Sequence, residues 1–200
     1  MKETLLVILL LMICNSILPQ NLYKGEKCIV RSEFIYQSEE VKFPSCHAST
    51  IAEIPEGLIA AWFGGTAERN PDVAIWISRY TNGKWSKPEE AANGIRENGK
   101  RYPCWNPVLY NSGDEILLFY KVGPSPSEWW GELTISDDNG ISWSASHKLP
   151  ENILGPIKNK PVLLKNGILL CPSSSENDGW RVHMEMTPDN FITCKRTNAF

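Results

Sequence analysis

The eight residues Ser136-Asp137-Asp138-Asn139-Gly140-Ile141-Ser142-Trp143 decide how the rest of the chain is read. They spell Ser-x-Asp-x-Gly-x-Ser-Trp. Asp138 and Asn139 carry short polar side chains that hydrogen-bond nearby backbone, and Gly140 tolerates positive φ, so the pattern predicts a tight reversal. Trp143 then supplies a large apolar anchor where the chain re-enters a sheet. Worn forms of the pattern stand at the same place in two neighbouring units.

Those units align along the chain. The first reads Ser49 to Ala52, Gly57 to Trp62, Val73 to Ser78 and Gly83-Lys84-Trp85; the second reads Pro107 to Tyr110, Glu115 to Tyr120, Trp130 to Ser136 and Gly140 to Trp143. The third reads Pro161 to Leu164, Gly167 to Leu170, Trp180 to Thr187 and Asp189 to Cys194, with Phe191 replacing the glycine and Cys194 the tryptophan. Ser78 to Ser136 and Trp85 to Trp143 are each 58 residues, while Ser136 to Thr187 and Trp143 to Cys194 are each 51. Each unit holds three clear strands and room for a fourth, rich in Val, Ile, Leu and aromatics and bounded by Gly, Pro, Asn and Asp. No stretch of the mature chain carries a 3.6-residue apolar period over three turns. A four-stranded repeat of about 40–50 residues is the mark of a β-propeller blade.

Lys2 followed by an apolar run from Leu5 to Ile13 predicts a secretory signal peptide over residues 1–20, since the run is too short to span a bilayer. Leu11-Met12-Ile13-Cys14 resembles a lipoprotein site, but Ile13 is bulky where a small residue is expected. The expected localisation is therefore secreted or periplasmic, with no integral membrane span after processing. A net charge of −3 without a basic run argues against a nucleic-acid partner. Eight tryptophans suit blade anchors or sugar stacking; Trp62, Trp85 and Trp143 fit the first role, and Trp105, Trp129, Trp130 and Trp180 leave both open. Five cysteines remain after processing, Cys28, Cys46, Cys104, Cys171 and Cys194, with no Cys-x-x-Cys pair, so no metal site or cofactor is expected. Cys46 and Cys104 stand in equivalent places, open to bridging or to burial as thiols.

The turn motif, known as an Asp-box, together with this blade pattern resembles the sialidase superfamily of six-bladed propellers. The stretch from Phe43 to Val182 is similar to the BNR-repeat sialidase-like proteins of bacteria, often named exo-α-sialidases. The matching segments are Pro44 to Glu53, Ala61 to Val73, Arg101 to Leu109, Phe119 to Pro126, Gly155 to Pro161 and Gly179 to His183. The resemblance implies an all-β fold, a six-bladed sialidase-type propeller of which residues 21–200 form about three blades, near 43–90, 101–148 and 156–200. Three blades leave sheet edges open, so the chain is expected to be an N-terminal portion of a longer propeller or to self-associate through those edges. Sialidases open their first inner strand with Arg-Ile-Pro, whose arginine begins a clamp on the substrate carboxylate. Here the stretch is Lys42-Phe43-Pro44-Ser45-Cys46-His47, and His47 stands near the arginine's place.

In a four-stranded antiparallel meander, the start of strand one and the loop between strands two and three share one end, and the Asp-box turn lies at the other. The turn is thus structural, and chemistry is expected opposite it. There the first unit offers His47, Glu68, Arg69 and Asp72; the second offers Arg101, Trp105, Asn106 and Lys121; the third offers Lys158, Lys160, Glu176, Arg181 and His183. Glu68 and Asp72, four residues apart beside a Gly-Gly bend, suit acid/base work, and His47 suits a base. The others are expected to bind substrate. The resemblance implies an exo-glycosidase acting on a terminal sialic acid or another acidic sugar, with a tyrosine nucleophile and further arginines from later blades. The 200-residue chain by itself is then expected to be inactive. Another glycosidase, a polysaccharide lyase with His47 as base, or a non-catalytic glycan-binding propeller are the alternatives.

Overall fold

Strand β2 (Gly57–Gly65) explains the architecture, because nearly all of it is buried although a strand has two faces. Ile59, Ala61 and Phe63 point one way and Ala60 and Trp62 the other, into two separate apolar clusters. Such a strand is stable only inside a stack of sheets. The computed structural model describes residues 31–177 and 179–199; the expected signal peptide, Cys14 and Cys28 lie outside these. Of the described residues, those from Ile35 onward form the compact unit that carries the fold.

Three antiparallel sheets follow in chain order. The first is β1 (Ser45–Ile54), β2, β3 (Ala74–Thr81) and β4 (Lys84–Trp85), with β5 (Glu89–Ala92) also paired to β3. The second is β6 (Cys104–Asn111), β7 (Ile116–Val122), β8 (Trp130–Ser136) and β9 (His147–Lys148). The third is β10 (Val162–Leu163), β11 (Leu169–Ser175), β12 (Arg181–Thr187) and β13 (Lys195–Arg196). Among the described residues the only helical element is a 3-10 turn at Ser38–Glu40, and no helix is long and apolar enough to cross a membrane. The sheets are propeller blades, and these three do not close a ring.

Alternation along β7 builds both seams between sheets. Ile116, Leu118, Tyr120 and Val122 join the cluster against the first sheet, while Leu117 and Phe119 join the cluster with Leu169, Cys171 and Phe191 of the third. On the far side of the first sheet, Ile35, Tyr36, Val41 and Phe43 cover Trp62, Trp76 and Trp85. Tyr36 stacks on Trp62 at 5.3 Å, and Phe43 lies 4.7 Å from Trp76. Each turn anchor packs back onto what precedes it: Trp85 onto that aromatic strap, Trp143 onto the first sheet's cluster and Cys194 onto the second's. Cys46, Cys104, Cys171 and Cys194 are all free thiols, which decides against the Cys46–Cys104 bridge.

The turns of the second and third sheets share one hydrogen-bond plan. Ser136 Oγ donates to Asp138 (2.8 Å) and accepts from Gly140 N (2.7 Å), while Asp138 accepts from Ser142 N (2.8 Å) and Ser142 Oγ (2.6 Å). Thr187, Asp189, Phe191 and Thr193 repeat all four bonds at 3.0, 2.9, 2.7 and 2.7 Å. Asn139-Gly140 and Asn190-Phe191 both take positive φ. At Gly140 a Cβ would collide with Ile59 Cδ1. Phe191 accepts a φ of 69° because its ring packs edge-on against Phe119 at 5.2 Å.

The first sheet departs from this plan. Its turn is a two-residue Asn82-Gly83 hairpin with φ 53° and 80°. Ser78 Oγ donates to Ser86 O (2.7 Å), as Thr134 Oγ1 does to Ser144 O (2.8 Å). Ser78 is therefore the counterpart of Thr134 and not of Ser136. The equal 58-residue spacings mislead on the strand side, because this hairpin is two residues shorter than the eight-residue motif's loop.

Phe191→Gly removes strain of about 1–2 kcal/mol but also a buried aromatic ring worth about 3–5 kcal/mol. The expected outcome is a net loss of about 2 kcal/mol of unfolding free energy in urea titration, whereas a gain would show that backbone strain dominates. Gly140→Ala, which offers no such packing in return, is expected to destabilise as well.

Candidate functional site

The inner strands of the first two sheets open with the same irregularity. β1 bulges between His47 and Thr50 and β6 between Trp105 and Val108. Ala48 (φ 56°) and Asn106 (φ 36°) occupy the left-handed region inside these bulges. A bulge re-aims the side chains beside it, and here both stand at the strand mouths where the chemistry was expected. His47 is exposed, and its ring rests on Phe63 with centroids 5.6 Å apart.

Backbone bonds tie the mouth of β6 both to the loop between its own sheet's second and third strands and to that of the preceding sheet. Cys104 N donates to Val73 O (3.1 Å), and Gly123 N donates to Pro103 O (3.2 Å). Arg101 Nη2 donates to Asp72 O (3.0 Å), so Arg101 holds the loop of the first sheet from the entry to the second. Within that loop, Asp72 accepts from Thr66 N (2.9 Å) and Thr66 Oγ1. The Thr66 hydroxyl bond holds the Asp72 carboxyl below its usual range. Asp72 thus clamps the base of the loop, and exposed Glu68 and Arg69 (φ 74°) stand on it.

Several residues expected to meet substrate instead bond to the protein itself; Trp105, Lys121 and His183 are buried, whereas Lys158 and Lys160 lie at the surface. Trp105 is 2% exposed, donates Nε1 to Gly123 O (2.9 Å), and packs between Phe63 and Trp129. Lys121 is fully buried and donates to Pro156 O (2.9 Å). Lys158 donates to Ser49 O (2.9 Å), and Lys160 to Leu109 O (2.9 Å) and Ile51 O. These two lysines cover carbonyls of the inner strands β1 and β6, and partial desolvation pushes the Lys160 ammonium down. His183 is fully buried, with Nε2 2.9 Å from Glu185 Oε1, and its Nδ1 has no partner in the protein. Arg181 is exposed at the start of β12. Glu176 lines a cavity between the second and third sheets.

Two buried carboxylates, Glu132 and Glu185, are not among the candidate site residues, although Glu185 shares a strand face with Arg181 and His183. Glu132 accepts from Arg96 (2.6 Å), Trp130 Nε1 (2.8 Å) and Tyr120 Oη (2.9 Å). Burial, with Glu132 beside it, pushes the Tyr120 phenol up, the reverse of what a tyrosine nucleophile needs. Glu185 accepts from Leu154 N (3.0 Å) and Gly155 N (2.6 Å), fastening the segment between the sheets. The available signal was a glutamate at an inward-facing position of an otherwise buried strand. Among the described residues no group of three or more His, Cys, Asp or Glu is placed to hold a metal.

Lys121 makes the seam sensitive to pH. Burial pushes its ammonium from 10.5 down to about 7, with Glu185 opposing the fall. Between about 7 and 10.5 the unfolded chain binds a proton that the native one lacks, so stability rises with pH there and falls again on acidification. Urea unfolding of Lys121→Met at pH 7 and 9.5 is expected to show this rise flattened relative to wild type; equal slopes would contradict it.

The model of the BNR repeat-like domain matches residues 56–199. No curated protein sequence matches the chain. Among solved structures, a Hadza microbial sialidase superposes with a TM-score of 0.69 at 13% identity, over 88% of this chain and 42% of that one. The Trypanosoma rangeli sialidase in complex with sialic acid gives 0.55 at 15% identity, over 78% and 31%. A Penicillium chrysogenum α-L-arabinanase complexed with arabinobiose gives 0.51 at 21% identity, over 79% and 50%. The chain spans from about a third to half of the length of these structures, and the likeness is one of fold. With the family model covering most of its length, the chain belongs to the BNR repeat-like domain family.

Proposed function

We propose that the protein is a secreted glycoside hydrolase component whose chemistry lies at the bulged mouths of β1 and β6. The observation that carries this reading is the shared geometry of the mouths: paired bulges at His47 and Trp105, with the Glu68 loop clamped beside them by Asp72 and Arg101. Convergent loops of one propeller face make the usual ligand pocket. The sialidases and arabinanase among the structural neighbours support glycoside hydrolysis as the reaction. Lys2 and the Leu5 to Ile13 run support secretion.

Within this reading the two loop carboxylates divide the work. Asp72 is committed to Thr66 and stays ionised, which suits holding the loop. Glu68 is then the proton donor and acceptor, and exposed His47 orients the sugar at the mouth. A neutral terminal sugar is the second reading for the substrate. It is favoured because Arg101, Lys121, Lys158 and Lys160 all spend hydrogen bonds on backbone carbonyls, and His47 stands where a carboxylate clamp would begin.

The 200-residue chain is expected to bind glycans at this mouth without hydrolysing them. A longer protein carrying these sheets and later blades is expected to release fluorophore from aryl N-acetylneuraminide or α-L-arabinofuranoside. In that protein Glu68→Gln should lower kcat by about 10²–10⁴-fold with KM nearly unchanged. Turnover by the short chain alone would overthrow the division between blades, and an unaltered kcat would remove Glu68 from the chemistry. Glycan binding that persists with no turnover in the longer protein would make it a lectin-like propeller.

A further inference from the structure

The third sheet buries one side and exposes an apolar one. Leu169, Cys171, Ser173 and Ser175 of β11 and His183, Glu185 and Thr187 of β12 are buried, on the side of the cluster shared with the second sheet. Leu170, Pro172, Met184 and Met186 alternate to the other side, and their register brings Val162 and Val182 to the same face. Val162 is 57% exposed and Val182 49%. Thr187 matches Ser136 in the turn plan, so Trp180, Met184 and Met186 correspond to Trp129, Leu133 and Ile135 of the second sheet. There Trp129 packs with Leu154 and Ile157, and Leu133 and Ile135 pack with Leu169 and Phe191. The outward face of the third sheet thus repeats, residue by residue, a face that is covered.

The two ends of this face are complementary. At the turn end, a groove of about 200 Å³ is lined by Ile168, Met186, Pro188, Thr193, Cys194 and Lys195. The pairing of Met186 with Lys195 places the groove on this face. At the other end of β12, Trp180 is 72% exposed. Gly179 and Trp180 both take positive φ, 84° and 58°, an uncommon state for so bulky a residue. Trp180 and Met186 lie three residues either side of His183. A two-fold axis crossing β12 at that point, parallel to the face, sets Trp180 of each copy over Met186 of the other. Lys195 then stands beside the indole as a cation partner. A projecting residue and a recess related in this way are what a self-complementary interface needs.

We propose that the 200-residue protein forms a two-fold dimer in which the outward faces of two third sheets pack together, each Trp180 filling the other copy's groove. A second copy is the occupant because these sheets offer no other apolar sheet face among the described residues. The aromatic strap takes the outer side of the first sheet, and the second sheet is covered on both sides. The methionines adapt their shape to such a contact. Strand length and spacing give each face a footprint on the order of 400 Å², which suits reversible rather than permanent association. The contact runs face to face, not edge to edge, and it does not depend on the chemistry of the mouths.

Sedimentation equilibrium of the 200-residue protein over micromolar concentrations is the test. A monomer–dimer equilibrium is expected, weakened about tenfold or more by Trp180→Ser. Val182→Glu is expected to give monomer, since it places like charges near the axis. Both residues are exposed in a single copy, so both variants are expected to keep the wild-type thermal melt under dilute, monomeric conditions. Mixing Val182→Glu with Val182→Lys is expected to restore a dimer containing one of each. Ile141→Ser, at an exposed turn of the second sheet, is expected to leave the equilibrium unchanged. A dimer that survives Trp180→Ser and Val182→Glu would place the contact at the sheet edges, and a monomer throughout would leave the face to a further sheet of a longer chain. Either result overturns the proposal.

Discussion

A strand that is apolar on both faces cannot rest on one neighbour, and this protein is built to satisfy strands of that kind. β2 and β7 each send alternate residues into two different clusters, so every sheet needs cover on both sides. For the first sheet one cover is the aromatic strap through Tyr36 and Phe43, and the other is the second sheet. The same demand explains why Trp85, Trp143 and Cys194 all pack backwards along the chain. Each anchor seals the seam its own sheet makes with whatever came before it, and the size of the residue follows the space left to fill. Where Phe191 already occupies the seam, Cys194 suffices.

Filling both faces has an electrostatic consequence. Near the end of the sheets where the strap and loops gather, the seams are no longer wholly apolar, and charged groups enter them with partners arranged in advance. Glu132 has three donors, and Glu185 has two backbone amides and a histidine. A carboxylate so surrounded stays buried because its lone pairs are satisfied, and losing a donor would be costly. Lys121 is the less comfortable case: one backbone carbonyl offsets only part of its desolvation, and its proton is held loosely as a result. Rigid seams of this sort fix the sheets while leaving the loops between second and third strands free to differ. Loop differences of that kind let a single propeller fold carry different chemistries.

The fold was legible because its signals are local. Ser136 to Trp143 reads as a turn from residue types alone, and the worn copy at Thr187 to Cys194 keeps every hydrogen-bonding side chain although the glycine is gone. The first unit was aligned two residues out of step on its third strand, since a short Asn-Gly hairpin and a longer loop can give equal spacings between similar serines. Site residues were harder for a related reason. Alternation separates the faces of a strand, but when both faces are buried it does not tell a residue that lines a seam from one that lines a mouth. Trp105, Lys121 and His183 were placed at the mouth on sequence position and lie in the seams; His47, Glu68 and Arg69 were placed there and are exposed.

That sorting bears on what the mouths can recognise. Six cations were expected to face a sugar, and four of them, Arg101, Lys121, Lys158 and Lys160, hydrogen-bond backbone carbonyls instead. Lys158 and Lys160 cover carbonyls of the inner strands β1 and β6, while Arg101 and Lys121 cover loop carbonyls at Asp72 and Pro156, and none can leave without exposing them. An arginine clamp on a carboxylate needs guanidinium groups with free donor pairs, and Arg101 has turned one of its nitrogens to Asp72. What the mouths of these sheets leave exposed without such a bond is a carboxylate, a guanidinium and an imidazole, those of Glu68, Arg69 and His47. One guanidinium falls short of a clamp, so if an acidic sugar is the substrate, most of the charge that holds it has to come from elsewhere.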